Sequence, residues 1–121
     1  MNLLEYDNPQ SSDGIEDYFI LYHINEYKIE LPYDKVKNKT LLGETNPQSN
    51  FDVYLSNVSH SIIDMFIHEN IVYGKVKILN TRQGKIVKAL YECECMPVFK
   101  IRGIKNNDTI KVFTFDLDFK E

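Results

Sequence analysis

One stretch of this sequence sets hydroxyls beside an imidazole: Ser56, Ser59 and Ser61 surround His60. A serine whose proton is taken by a neighbouring histidine is the nucleophile of one large class of hydrolases. Along a strand, however, residues 59 and 60 point to opposite faces, so direct pairing of Ser59 with His60 is not expected. The other reading of His60 is a core or edge histidine bonded to a backbone carbonyl. His23 and His68 show no paired spacing that would supply metal ligands. Cys93 and Cys95 are separated by one residue, an awkward spacing for a mutual disulfide, and no further zinc ligands accompany them. No metal site and no cofactor are expected, and the thiols are expected to be reduced.

These residues must be positioned by a small chain. Its 121 residues suit one domain, because two would each bury too little to be stable. Hydrophobic residues make up 43%, enough for an ordinary core. The net charge of -4 is uneven. Residues 1–17 hold Glu5, Asp7, Asp13, Glu16 and Asp17 with no Lys or Arg, which leaves the remainder at about +1. An acidic arm on a near-neutral body does not favour nucleic acid. No apolar run approaches the length of a membrane span, and no signal peptide is visible. The division read from this is an acidic arm over 1–16 and a single domain over 17–121. The arm is either a solvated terminus or a segment that orders against a partner subunit.

Hydrophobic periodicity supplies the elements. Strands are expected over 17–24, 27–31, 61–68, 71–79, 97–104 and 109–119. A short helix is expected over 34–42, a loop over 43–50, and hairpin turns at His68-Glu69-Asn70 and Asn106-Asn107-Asp108. Residues 85–94 carry Ile86, Val87, Leu90 and Tyr91 on one helical face. The alternation of the last strand breaks at Thr114-Phe115, which indicates a bulge or a strand buried on both faces. About six strands and one clear helix give an α+β, β-rich fold: a curled antiparallel sheet or small barrel with one or two packed helices.

Several segments, taken in order, resemble one family. Leu42-Gly43-Glu44-Thr45-Asn46-Pro47, residues 58–66 (beginning Val58-Ser59-His60-Ser61-Ile62), residues 70–81 (beginning Asn70-Ile71-Val72-Tyr73-Gly74-Lys75), residues 84–90, Pro97-Val98-Phe99-Lys100-Ile101-Arg102-Gly103 and Phe113-Thr114-Phe115-Asp116-Leu117 are similar to the motif series of the prohead proteases of T4-like tailed phages. The likeness covers roughly residues 41–118. It implies a prohead-protease-like fold and, for an intact member, a serine protease acting in head assembly.

The departures fall on the chemistry. The resemblance places the base in an "(N/D)-H-P" loop, where Asn46 is here followed directly by Pro47. It places the nucleophile where Lys100 and Ile101 stand. Isoleucine has no nucleophilic atom, and lysine needs desolvation and a base of its own. Alternation turns Lys100 toward solvent. His60 survives at its motif position, as a core residue or as a remnant of the old site. The chain also reads as a trimmed copy.

The resemblance and its departures lead to an expected non-catalytic virion protein. It would be a capsid auxiliary or decoration protein present in multiple copies on the major capsid protein or other head proteins, assembled in the host cytoplasm. Tyr6, Tyr33 and Tyr54 are candidate contacts. The alternatives are a transient head-assembly factor and a divergent active prohead protease.

Overall fold

Two hairpins form the framework, and their turns show why they close where they do. At the first, Glu69 and Asn70 both adopt positive φ (52° and 63°), the left-handed pair that a two-residue turn needs to match strand twist. At the second, Asn107 does so at 58°. The computed structural model describes residues 15–45 and 53–120. The strands are β1 (Glu16–His23), β2 (Lys28–Glu30), β3 (Leu42–Glu44), β4 (Val58–His68), β5 (Ile71–Ile78), β6 (Pro97–Asn106) and β7 (Thr109–Phe119). Helix α1 (Tyr33–Lys37) lies between β2 and β3, and α2 (Arg82–Glu92) between β5 and β6. A 3-10 turn at Leu55–Asn57 leads into β4.

The strands form two sheets, ordered β1-β5-β4-β3 and β2-β7-β6. All pairings are antiparallel except the short β2–β7 pair, which is parallel. The fold is thus β-rich with two helices, and hydrogen bonding does not close the sheets into a barrel. The hydrophobic core includes Leu21, Ile62, Val72 and Val76 from the first sheet and Val112, Phe115 and Leu117 from the second. Val36 of α1 and Val87 of α2 complete it.

Four local expectations are corrected. Leu42-Gly43-Glu44, expected as the end of a helix (Leu42) and the start of a loop (Gly43 and Glu44), is strand β3 on the edge of the first sheet. It can lie there because a side chain on Gly43 would collide with the His60 ring and the Phe115 carbonyl. Helix α1 spans only Tyr33–Lys37, and Lys39 follows at φ 60°, outside helical geometry. Helix α2 starts three residues early because Thr81 caps it, accepting from the Gly84 amide at 2.9 Å.

The buried face of α2 also differs from the periodicity reading. Gly84 and Val87 face inward, while Ile86 and Leu90 are 48% and 38% exposed. Gly84 lets the helix approach the carbonyls of Leu79 and Ser59, and that contact sets the rotation of the helix. The irregularity in β7 falls at Phe113. Arg102 faces Thr114 and Gly103 faces Val112, so Phe113 is the extra residue. Beyond it, Thr114 through Leu117 are buried on both faces.

Candidate functional site

The inward side chains of β7, Phe115 and Leu117, belong to the hydrophobic core. Strand alternation turns Thr114 and Asp116 to the opposite face, yet both are buried there, at 1% and 6% exposure. The cover comes in part from β3: the Thr114 hydroxyl donates to the Leu42 carbonyl, and the Glu44 amide donates to Asp116 Oδ1. A second, polar layer is therefore built against the apolar one.

Its centre is Arg102 on β6. Arg102 Nε donates to Asp116 Oδ2 at 2.9 Å and Nη2 to Oδ1 at 2.5 Å, a two-pronged grip that suits the planar guanidinium. Nη2 also reaches Glu44 Oε1 at 2.6 Å. The other Glu44 oxygen accepts from the Tyr54 amide at 2.8 Å. Burial works against the guanidinium charge. Hydrogen bonds to Asp116 and Glu44, and the fields of both carboxylates, outweigh it and raise the Arg102 pKa. Both carboxylates are turned onto this cation. Among the described residues, no three His, Cys, Asp or Glu side chains are grouped so as to hold a metal ion.

Beside this triad lies His60, with no exposed surface. Its Nε2 is 2.8 Å from the Phe115 carbonyl oxygen, which only accepts, so Nε2 carries the proton. Nδ1 is then an acceptor, and the Ser59 hydroxyl donates to it at 2.9 Å. Ser59 in turn accepts from the Thr45 hydroxyl at 2.9 Å. The separation expected of Ser59 and His60 is thereby corrected. Gly43 pairs with His60 and Glu44 with Val58, which leaves Ser59 as an extra residue that breaks the alternation. Desolvation lowers the His60 pKa from 6.5 to about 4, despite the Phe115 carbonyl and the Asp116 charge acting the other way. The imidazole is neutral near pH 7, and its neighbour Ser59 has no exposed surface either. As built, the chain Thr45–Ser59–His60–Phe115 ties β3, β4 and β7 together.

Lys100 and Ile101 lie on β6 two residues and one residue before Arg102. Lys100 is exposed and pairs with Asp118 at 3.2 Å. Ile101 is half-buried against the core. Tyr33 and Tyr54 are 48% and 46% exposed, on α1 and just before the 3-10 turn. Asn46, Pro47 and Tyr6 lie outside the described residues.

The sequence reading did not single out Glu44, Arg102 or Asp116 as a cluster. Each nevertheless sits inside a motif segment already quoted, and Asp116 carried the clearest signal: a carboxylate set between Phe115 and Leu117 in an apolar strand. The quoted segments that contain Glu44, His60, Arg102 and Asp116 meet in this buried polar layer, while the one that begins at Asn70 does not contribute to it.

The architecture is two uneven sheets with a helix on the connection between β5 and β6, and it is similar to that of a phage assembly protease. One solved structure it is similar to is the capsid assembly protease of bacteriophage T4, at 23% identity and a TM-score of 0.56, over 86% of this chain and 76% of that one. No family model matches the chain, and no curated protein matches it significantly.

Proposed function

We propose that this chain is a non-catalytic component of a phage head, a capsid auxiliary or decoration protein built on an assembly-protease fold. The observation that carries this reading is the chemistry of β6. Where the resemblance expects a serine nucleophile, Lys100 is solvated and ion-paired with Asp118, and Ile101 offers only hydrocarbon. In the loop where it expects a histidine base, Asn46 runs directly into Pro47. Loss of either member of a nucleophile–base pair costs orders of magnitude in rate. What such a fold retains is shape and surface. Its partners are the major capsid protein or other head proteins, in multiple copies, without nucleic acid or membrane. Tyr33 and Tyr54 are exposed aromatic anchors for such contacts. Quantitative mass spectrometry of purified mature particles tests the reading. A full-length chain at a fixed ratio to the major capsid protein is expected, and absence from mature particles overturns it.

The Ser59–His60 contact favours a second reading, a divergent active prohead protease. Time-dependent cleavage of a cognate scaffold or capsid protein, lost in His60→Ala, would establish it. No cleavage at high protein concentration would remove it.

A further inference from the structure

Helix α2 and the end of β5 enclose a groove of about 300 Å³ lined by Ile78, Leu79, Gly84 and Ala89, with Lys85 and Lys88 along one wall. Asn80 and Glu92, the last residue of α2, also line it. None of the ion pairs among the described residues involves Arg82, Lys85 or Lys88, so this half of the helix presents uncompensated positive charge over an apolar floor. The groove is adjacent to the point where the N-terminal segment joins the body. The Ile15 carbonyl accepts from the Ile78 amide at 2.8 Å, and Ile78 is a wall of the groove.

The segment before Ile15 has the complementary chemistry. Residues 1–14 contain Glu5, Asp7 and Asp13 and no Lys or Arg. Leu3, Leu4 and Tyr6 are interleaved with the first two carboxylates, and the turn-forming run Asn8–Gly14 separates this tip from β1. Seven residues reach at most about 25 Å when extended, whereas the 11 residues of α2 are only about 16 Å long. The tip can therefore reach any part of the groove without leaving its own chain, at an effective concentration that a separate chain lacks.

We infer that this groove is the docking site of the chain's own acidic N-terminal segment, with Leu3, Leu4 or Tyr6 on the apolar floor and Glu5 and Asp7 against Lys85 and Lys88. The inference stands apart from the proposed function and holds whatever the protein does in a particle. A photoreactive residue tests it in the full chain, as Tyr6→p-benzoylphenylalanine, irradiated and mapped by peptide mass spectrometry. The expected product is an intramolecular cross-link to α2 or to the Leu79-Asn80 turn. Its yield is expected to fall roughly tenfold in Lys85→Glu/Lys88→Glu, the effect of reversing two partly screened charge pairs. Cross-links landing elsewhere on the body, no cross-link at all, a cross-linked dimer (the segment of a second copy) or an unchanged yield in the charge-reversed protein would each overturn it. Should that variant misfold, the parent chain decides: a yield constant up to roughly 1 M salt, where charges are screened beyond about 3 Å, overturns the inference equally.

Discussion

Arg102 grips Asp116 diagonally across the β6–β7 hairpin. The residue directly opposite Arg102 is Thr114, and the one opposite Asp116 is Lys100. The bidentate bond thus skips one step of the ladder, and Lys100 is left to pair with Asp118 at the surface. The diagonal carries the guanidinium to where Glu44 arrives from β3, so one cation holds two carboxylates brought from 72 residues apart.

Removing that cation should be costly. Arg102→Met leaves Glu44 and Asp116 buried together without their partner, a situation worth about 3–5 kcal/mol of stability. Urea denaturation should show the loss, and adding Glu44→Gln and Asp116→Asn should recover a large part of it. Equal stability of Arg102→Met and the parent would show that the triad does not contribute as described.

His60 should make the protein acid-sensitive in a defined window. In the unfolded chain the imidazole binds a proton below about 6.5, whereas in the folded protein it does so only near 4. The unfolded state therefore takes up more protons between those values, and stability falls as pH drops through them, by about 3 kcal/mol. Above pH 6.5 both states are neutral and the contribution is flat. Melting curves of the parent and of His60→Gln between pH 7 and 4.5 should converge as pH falls. A constant gap would contradict the assignment.

Gly43 should tolerate no side chain. A Cβ there meets the His60 ring and the Phe115 carbonyl, one of them backbone that cannot step aside. Gly43→Ala should cost about 2–3 kcal/mol, at the upper end of overpacking penalties. Chemical denaturation would measure it, and hydrogen exchange should show the loss concentrated in β3.

The β4–β5 turn can be improved. Glu69 and Asn70 both hold positive φ, which glutamate adopts reluctantly. Glu69→Asn with Asn70→Gly matches the preferred two-residue turn and should raise stability by about 0.5–1 kcal/mol. Thermal melts would detect this as a rise of several degrees, and a fall in melting temperature would mean that the turn is of another type.

Much of the fold was legible because strands and their turns are local. Period-two alternation marked β5 and β7, and the turn residues at 68–70 and 106–108 lay between strand-like runs, so local pattern alone was enough to place both hairpins. The segments quoted for the resemblance were legible too. The helix face was not, because Ile86 and Leu90 look like a buried stripe until Gly84 fixes the rotation of α2 against β4 and β5. Nor was the Ser59–His60 contact. Alternation forbade it, and it arises only because β3 pairs with β4 across a bulge that leaves Ser59 as the extra residue. Residues 44, 60, 102 and 116 come from four strands. Sequence spacing carries no information on how such strands stack, so the buried charge triad and the lowered pKa of His60 were decided by tertiary packing alone. Which groups lose their water, and which opposite charge they meet there, depends on that packing.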